Sequence, residues 1–270
     1  MNSSDKTWRE LFNKFNETYK PNRFRELGEL KYSMRSVYKH MKFIKNWFLV
    51  VQGPSQIPLF IRYEKREKGY EIISNNKTDI KLKILFHEDI FPNVSNLPNF
   101  CSDCIESSFA FIQEISECFV YFDYFFVNKK INPGYFIKKN GRMNLYRELR
   151  IAPSIINSWD YQIAYTNNLL NDIFGFQRRT YPEHYPYFFR KSLLQELNIL
   201  LKEAYALTRS YKFREITNIQ TPFIHTNYAE ISNAGDAIIS SKKNMYFRIS
   251  NFKRELKRNF KIFNINFFNI

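Results

Sequence analysis

The sequence predicts an α/β fold. A Rossmann-like mixed sheet occupies the first half, residues 1–150, and a helical second half, residues 151–270, packs on it to make one globular unit. Three observations carry this expectation. Apolar runs of strand length fall at 43–51, 80–86 and 118–127, separated by stretches of helical spacing or loop chemistry. Beyond Pro153 the apolar residues recur every three or four positions. A hydrophobic content of 44% over 270 residues is enough to bury a substantial core.

The elements follow in order. Trp8, Leu11, Phe12, Phe15 and Tyr19 share one helical face, with Ser4 or Asp5 as cap and Pro21 as stop. Leu27, Leu30, Met34, Val37, Tyr38 and Met41 predict a second amphipathic helix over 26–41, with Glu29, Lys31 and Arg35 off its apolar stripe. The strand at 43–51 ends in Gln52-Gly53-Pro54. Residues 62–79 are charged and contain Gly and Asn, which suits a surface hairpin or loop, and 80–86 returns to the sheet. Ser102 is placed to cap a helix that buries Ile105, Phe109 and Ile112, and 118–127 is the most apolar strand. Asn132-Pro133-Gly134 marks a turn, followed by a short hairpin around Phe136, Gly141 and residues 143–146. Ser158 caps a helix carrying Trp159, Ile163, Thr166, Leu170, Ile173 and Phe174, which Gly175 stops. A helix over 190–208 turns Leu194, Leu197, Leu201 and Ala204 inward, and the basic, Phe-rich tail at 242–270 is read as an amphipathic helix.

A net charge of +15 points to an anionic partner: a nucleotide-sugar diphosphate, an acidic glycan, an anionic membrane surface or nucleic acid. The tyrosines fall mostly at core periodicity instead of on one basic face, which argues against nucleic acid. No apolar run approaches the ~20 residues of a membrane-spanning helix, and no signal peptide opens at Met1. The expectation is therefore a cytoplasmic chain, with peripheral membrane contact left open. Three cysteines do not make a disulfide framework. Cys101-x-x-Cys104, with Cys118 and His87 nearby, has the beginnings of a zinc site but no second paired motif, so the thiols are read as buried or semi-buried.

Several segments carry a resemblance. Arg23-Phe24-Arg25-Glu26-Leu27-Gly28-Glu29-Leu30-Lys31-Tyr32-Ser33-Met34-Arg35-Ser36, then His87-Glu88-Asp89-Ile90-Phe91-Pro92-Asn93, Leu97-Pro98-Asn99-Phe100 and Ile105-Glu106-Ser107, resemble conserved region two of the Stealth family. Phe174-Gly175 through Arg179, His184 and Pro186 is similar to region three, and Phe213-Arg214 to a later segment of it. Gln56-Ile57-Pro58 is similar to the end of a family strand, and Asn2 to Trp8 to the tail of region one. The front half of that first motif is expected to be absent from this chain. The family includes bacterial capsule-polymer hexose-1-phosphate transferases and the N-acetylglucosamine-1-phosphotransferase that marks lysosomal enzymes.

The resemblance implies transfer of a sugar-1-phosphate from a uridine or cytidine nucleotide sugar to a glycan hydroxyl. Such chemistry needs cations for the diphosphate, a base for the hydroxyl and usually a carboxylate-held Mg2+ or Mn2+. The matched positions suggest His184, Glu106 and Asp123 as catalytic groups and Arg179, Arg214 and Arg35 as phosphate ligands; no metal ligand set is assigned. The pattern also departs from the family. Without gaps, Asp123 takes an Asn position, Tyr124 and Phe125 stand where the family carries paired aspartates, Ser108 and Ala110 replace histidines, and Asn218 replaces an aspartate. These losses imply either an impaired transferase or an inactive relative that still binds nucleotide sugar or glycan.

Overall fold

The computed structural model describes residues 28–65, 70–72, 80–122, 125–154 and 160–239, together with residues 10, 13 and 14. The expected helix near Trp8, the basic tail and Asp123 lie mostly or wholly outside these residues. What is described is an α/β structure with parallel and antiparallel pairing.

Helix α1, Glu29–His40, buries Ser33 and Val37 and starts after Gly28, whose φ of 83° suits a residue without a Cβ. Strand β1, Asn46–Val51, runs parallel to β4, Lys81–Phe86, in the register Val51↔Phe86. Between them β2, Tyr63–Lys65, and β3, Tyr70–Ile72, pair antiparallel, so of the hairpin or loop expected there the structure has the hairpin. A four-residue helix α2, His87–Ile90, follows β4 directly; the Asp89 carboxylate accepts the Phe86 N–H at 2.7 Å and fixes this turn. Helix α3, Ser102–Glu106, has Cys101 and not Ser102 at its N-cap position, without a side-chain cap bond, and stops after five residues, with a 3-10 turn at Phe109–Phe111 behind it.

Among the described residues, the apolar run that predicts a strand over 118–127 is paired through β5, Cys118–Tyr121, which lies antiparallel to β8, Tyr187–Arg190. Beyond it two helix serines take the place of a strand ladder. Ser33 Oγ donates to the Phe125 carbonyl at 2.6 Å, and Ser36 Oγ accepts the Val127 N–H at 2.9 Å. The short hairpin expected near residue 143 is the start of a nine-residue strand β6, Met143–Ile151, which lies between β7, Thr180–Pro182, and a parallel β9, Gly235–Ile239.

The second half supplies α4, Tyr161–Phe174, which Gly175 ends as expected at φ 80°. The single helix expected over 190–208 is two, α5, Lys191–Leu200, and α6, Lys202–Ser210, broken at Leu201. Helix α7, Thr221–Ile231, was not anticipated. It is buried at every position from Thr221 to Asn227 and so lacks an amphipathic stripe. Among its described residues the second half is thus helical with three strands, of which β7 and β9 flank β6 while β8 completes the pair with β5. The halves share an aromatic core in which Phe109, Phe119, Tyr121 and Phe189 meet.

Candidate functional site

Ligands of open α/β structures bind beyond the carboxyl ends of parallel strands. Here β1 and β4 end side by side, and the residues that leave them are Gln52 and His87. Both line a cleft of about 1810 Å³ that also takes in Asn99, Ser102, Tyr161 and Arg214. Its charged lining residues are Lys31, Lys45 and Arg214 against Glu29, which favours an anion.

One wall is a seam between residues 99–104 and 208–218. Asn99 is fully buried; its Nδ2 donates to the Tyr211 carbonyl at 2.7 Å and its Oδ1 accepts the Cys101 N–H at 2.9 Å. The Phe100 N–H donates to the Lys212 carbonyl at 2.9 Å, and the Phe100 and Phe213 rings stack at 5.2 Å. Cys104 Sγ donates to the Thr208 carbonyl at 2.9 Å, and Cys101 Sγ lies 3.5 Å from Asn218 Oδ1. Both thiols are buried, while Cys118 is half-buried. Burial pushes the Cys104 thiol well up, which opposes thiolate chemistry. Among the described residues no three of His, Cys, Asp and Glu come together as a metal group, so the zinc constellation around Cys101 does not assemble there.

Arg214 holds the rim of this seam. Its Nε lies 3.2 Å from Asp103 Oδ2 and its Nη2 donates to Ser102 Oγ at 2.6 Å. Asp103 is fully buried and also accepts from Gln162 Nε2 at 2.8 Å, whereas Arg214 keeps 37% of its side chain exposed. Burial opposes the Arg214 charge, but Asp103, with lesser contributions from Cys101, Glu106 and Tyr161, outweighs it and raises the pKa. One edge of the guanidinium is thereby fixed, and the residue faces the cleft.

Glu106 is buried, and its Oε1 accepts from the Tyr121 hydroxyl at 3.1 Å. The Tyr121 ring stacks on Tyr187 at 6.5 Å, and the Tyr187 hydroxyl lies 3.1 Å from His184 Nδ1. Two stacked phenols therefore link Glu106 to His184, which is exposed and does not line the cleft itself. Phe125 packs edge-on to His184 at 5.0 Å.

The remaining suggested residues sit elsewhere. Arg179 is buried in the second half. It donates to Asn171 Oδ1, to Asn167 Oδ1 at 3.3 Å, and to the Leu170 and Gly175 carbonyls at 3.5 and 3.3 Å, so it serves the C-terminal end of α4. Arg35 lies over Tyr32 on α1 at 6.0 Å and does not line the cleft. Asp123 is outside the described residues. Of the suggested residues only Arg214 lines the cleft; Glu106 acts on it electrostatically from outside the lining, His184 is linked to Glu106, and Arg179 and Arg35 stand apart.

Sequence reasoning missed Gln52, Asp103 and the cleft position of His87. Gln52 and His87 each follow an apolar run directly, and that is the signal that could have found them.

Two family models match the chain: Stealth protein CR2, conserved region 2, over residues 23–145, and Stealth protein CR3, conserved region 3, over residues 183–229. The chain belongs to the Stealth family. Both walls of the seam fall inside these two regions, residues 99–104 in the first and 208–218 in the second, so the cleft rim is where the regions meet. An exopolysaccharide phosphotransferase of Streptomyces coelicolor is 30% identical over 203 residues, 73% of this chain and 35% of that protein. The capsular polysaccharide phosphotransferase SacB of Neisseria meningitidis serogroup A is 29% identical over 261 residues, 90% of this chain and 43% of that protein. The mouse N-acetylglucosamine-1-phosphotransferase subunits alpha/beta share 34% identity over 108 residues, 40% of this chain and 7% of that protein. The Stealth chain described here spans less than half the length of each. None of its described helices is long and apolar enough to cross a membrane.

Proposed function

We propose that this Stealth chain forms the donor site of a sugar-1-phosphate transferase, which moves a sugar phosphate from a uridine or cytidine nucleotide sugar to a glycan hydroxyl. The observation that carries the proposal is Arg214, anchored by Asp103 and Ser102 at the rim of an electropositive cleft beyond two parallel strand ends. In the reaction the acceptor oxygen bonds to the phosphorus that bears the sugar. The bond from that phosphorus to the bridging oxygen breaks, and nucleoside monophosphate leaves. Arg214 meets the phosphate charge; a guanidinium fixed along one edge offers its other edge without further ordering cost. His184, exposed and held by Tyr187, is assigned as the base for an acceptor hydroxyl that approaches from outside the cleft, and Glu106, which does not line the cleft, holds the Tyr121 hydroxyl that does.

Mg2+ or Mn2+ would need several oxygen ligands. With the donor's phosphates supplying some of them, one or two carboxylates of the protein suffice; among the described residues Asp103 is engaged by Arg214 and Gln162, and no group of three His, Cys, Asp or Glu comes together.

A second reading, binding with little turnover, is favoured by Phe125. Where the resemblance implies a strand-tip aspartate, an aromatic ring packs against His184. The test is release of nucleoside monophosphate from a panel of nucleotide sugars with a glycan acceptor and Mg2+ or Mn2+. Turnover that falls at least tenfold in His184→Ala supports the transferase. Tight binding without release supports the second reading, and neither binding nor release removes both.

A further inference from the structure

Two polar side chains at the floor of the cleft have a defined chemistry that the transfer step does not use. The first is Gln52. Its backbone N–H donates to Gln56 Oε1 at 3.3 Å, which makes that atom an acceptor and leaves Gln56 Nε2 as the donor. Gln56 Nε2 in turn lies 3.0 Å from Gln52 Oε1. This reciprocal pair sets the Gln52 amide one way round, so that its Oε1 is occupied and its NH2 group is turned away from Gln56. The second is His87. It is 4% exposed, it lines the cleft, and its Nδ1 has no hydrogen-bond partner among the described residues. A buried polar atom without a partner costs about 1–3 kcal/mol, and this one has almost no accessible surface of its own, so the ring must turn in the cleft lining for a ligand to satisfy it. The register Val51↔Phe86 makes Gln52 and His87 adjacent exits of two parallel strands.

We infer that Gln52 and His87 form an uncharged subsite that hydrogen-bonds the hydroxyl or acetamido groups of the donor's sugar ring, beyond the phosphates held by Arg214. This rests on the proposed donor site and assigns its sugar end. The chemistry separates the two ends. A carboxamide and an imidazole offer directional donors and acceptors without charge, which suits sugar substituents, whereas phosphate calls for a guanidinium. Burial holds His87 well below its usual pKa, at about 4, so the imidazole is neutral at pH 7 and can both donate and accept. A site built to bond a hydroxyl discriminates strongly against a ligand that lacks it, because its own polar groups are then left unpaired.

The experiment is calorimetric titration of the full 270-residue chain at pH 7.5 with inorganic phosphate, inorganic pyrophosphate and a set of hexose-1-phosphates: glucose, N-acetylglucosamine and N-acetylmannosamine. At least one hexose-1-phosphate is expected to bind tenfold or more tightly than inorganic phosphate. Gln52→Ala and His87→Phe are expected to bring it to within about twofold of inorganic phosphate while leaving pyrophosphate binding unchanged. Gln52 is only half-buried, so its variant keeps the test decisive should His87→Phe fail to fold. A wild-type chain that binds pyrophosphate but prefers no sugar phosphate overturns the inference and spares the donor site, as does an undiminished preference in the variants. A chain that binds none of these ligands overturns the donor site and the inference with it.

Discussion

At Arg214 a partly exposed cation is tied to a carboxylate with no solvent contact. Removing the cation alone leaves Asp103 charged in a dry setting, and breaking such a pair is more costly than removing both members. Arg214→Ala is therefore expected to lose about 3 kcal/mol of stability, at the low end for a buried pair because the guanidinium is partly solvated. The double variant Asp103→Asn/Arg214→Gln is expected to lose less than half of that, since Asn can still accept from Gln162; urea unfolding of the three proteins checks this. Two histidines set a pH limit. Burial lowers His87 to about 4 and His225 to about 3, and His225 Nε2 accepts the Arg190 N–H. Above pH ~6.5 both are neutral in folded and unfolded chains alike and contribute no pH dependence. As the pH falls below ~6.5 the unfolded imidazoles bind protons that the folded ones refuse, so stability drops until the folded values are reached. The slope is at most about 1.4 kcal/mol per pH unit for each histidine. Thermal unfolding is expected to give a clearly lower midpoint at pH 5 than at pH 7.5, and equal midpoints would contradict the buried neutral state.

Among the elements, β9 depends on Gly235. A Cβ there would meet Leu145 Cγ and Cδ1 at 2.7 Å, and Leu145 is 2% exposed in the core between β6 and α7. Gly235→Ala is expected to cost about 1–3 kcal/mol through overpacking, measured by denaturant midpoint, whereas Gly134→Ala, with open space around it, is expected to be near neutral. The same scale shows what the chain order concealed. Strands β1 and β4 and helices α1 and α4 were legible because their apolar residues follow one period. The break at Leu201 was not, because the buried positions Leu193, Leu197, Leu201 and Tyr205 keep helical spacing straight through it. Strand β6 was hidden by Arg147, Glu148 and Arg150. Arg147 is 3% exposed, and its two terminal nitrogens are held by Asn227 Oδ1 at 2.8 Å, the Thr226 carbonyl at 3.2 Å and Glu230 at 2.6 Å, partners that lie some eighty residues away. The run after Cys118 looked like a long strand, but its far end is held by Ser33 and Ser36, whose spacing of three also fits an ordinary helix face.

Over the whole molecule, the candidate site arises from the pairing of two distant segments, and this explains which of its parts could be read in advance. Glu106, His184 and Arg214 were singled out through resemblance to a shared pattern. Asp103 was missed because its meaning depends on Arg214 more than a hundred positions later. Arg179 stood in the same pattern as His184, yet its guanidinium caps α4, a use that spacing alone does not reveal. The central claim is that the cleft beyond β1 and β4 takes the diphosphate of a nucleotide sugar at Arg214. The most direct measurement is calorimetric titration of the full chain with uridine and cytidine diphospho-sugars, in wild type and in Asp103→Asn/Arg214→Gln. The account predicts saturable binding of at least one of them by the wild-type chain and a loss of tenfold or more in the folded double variant. Equal affinity in the two proteins, or no binding by the wild type at millimolar ligand, would contradict it.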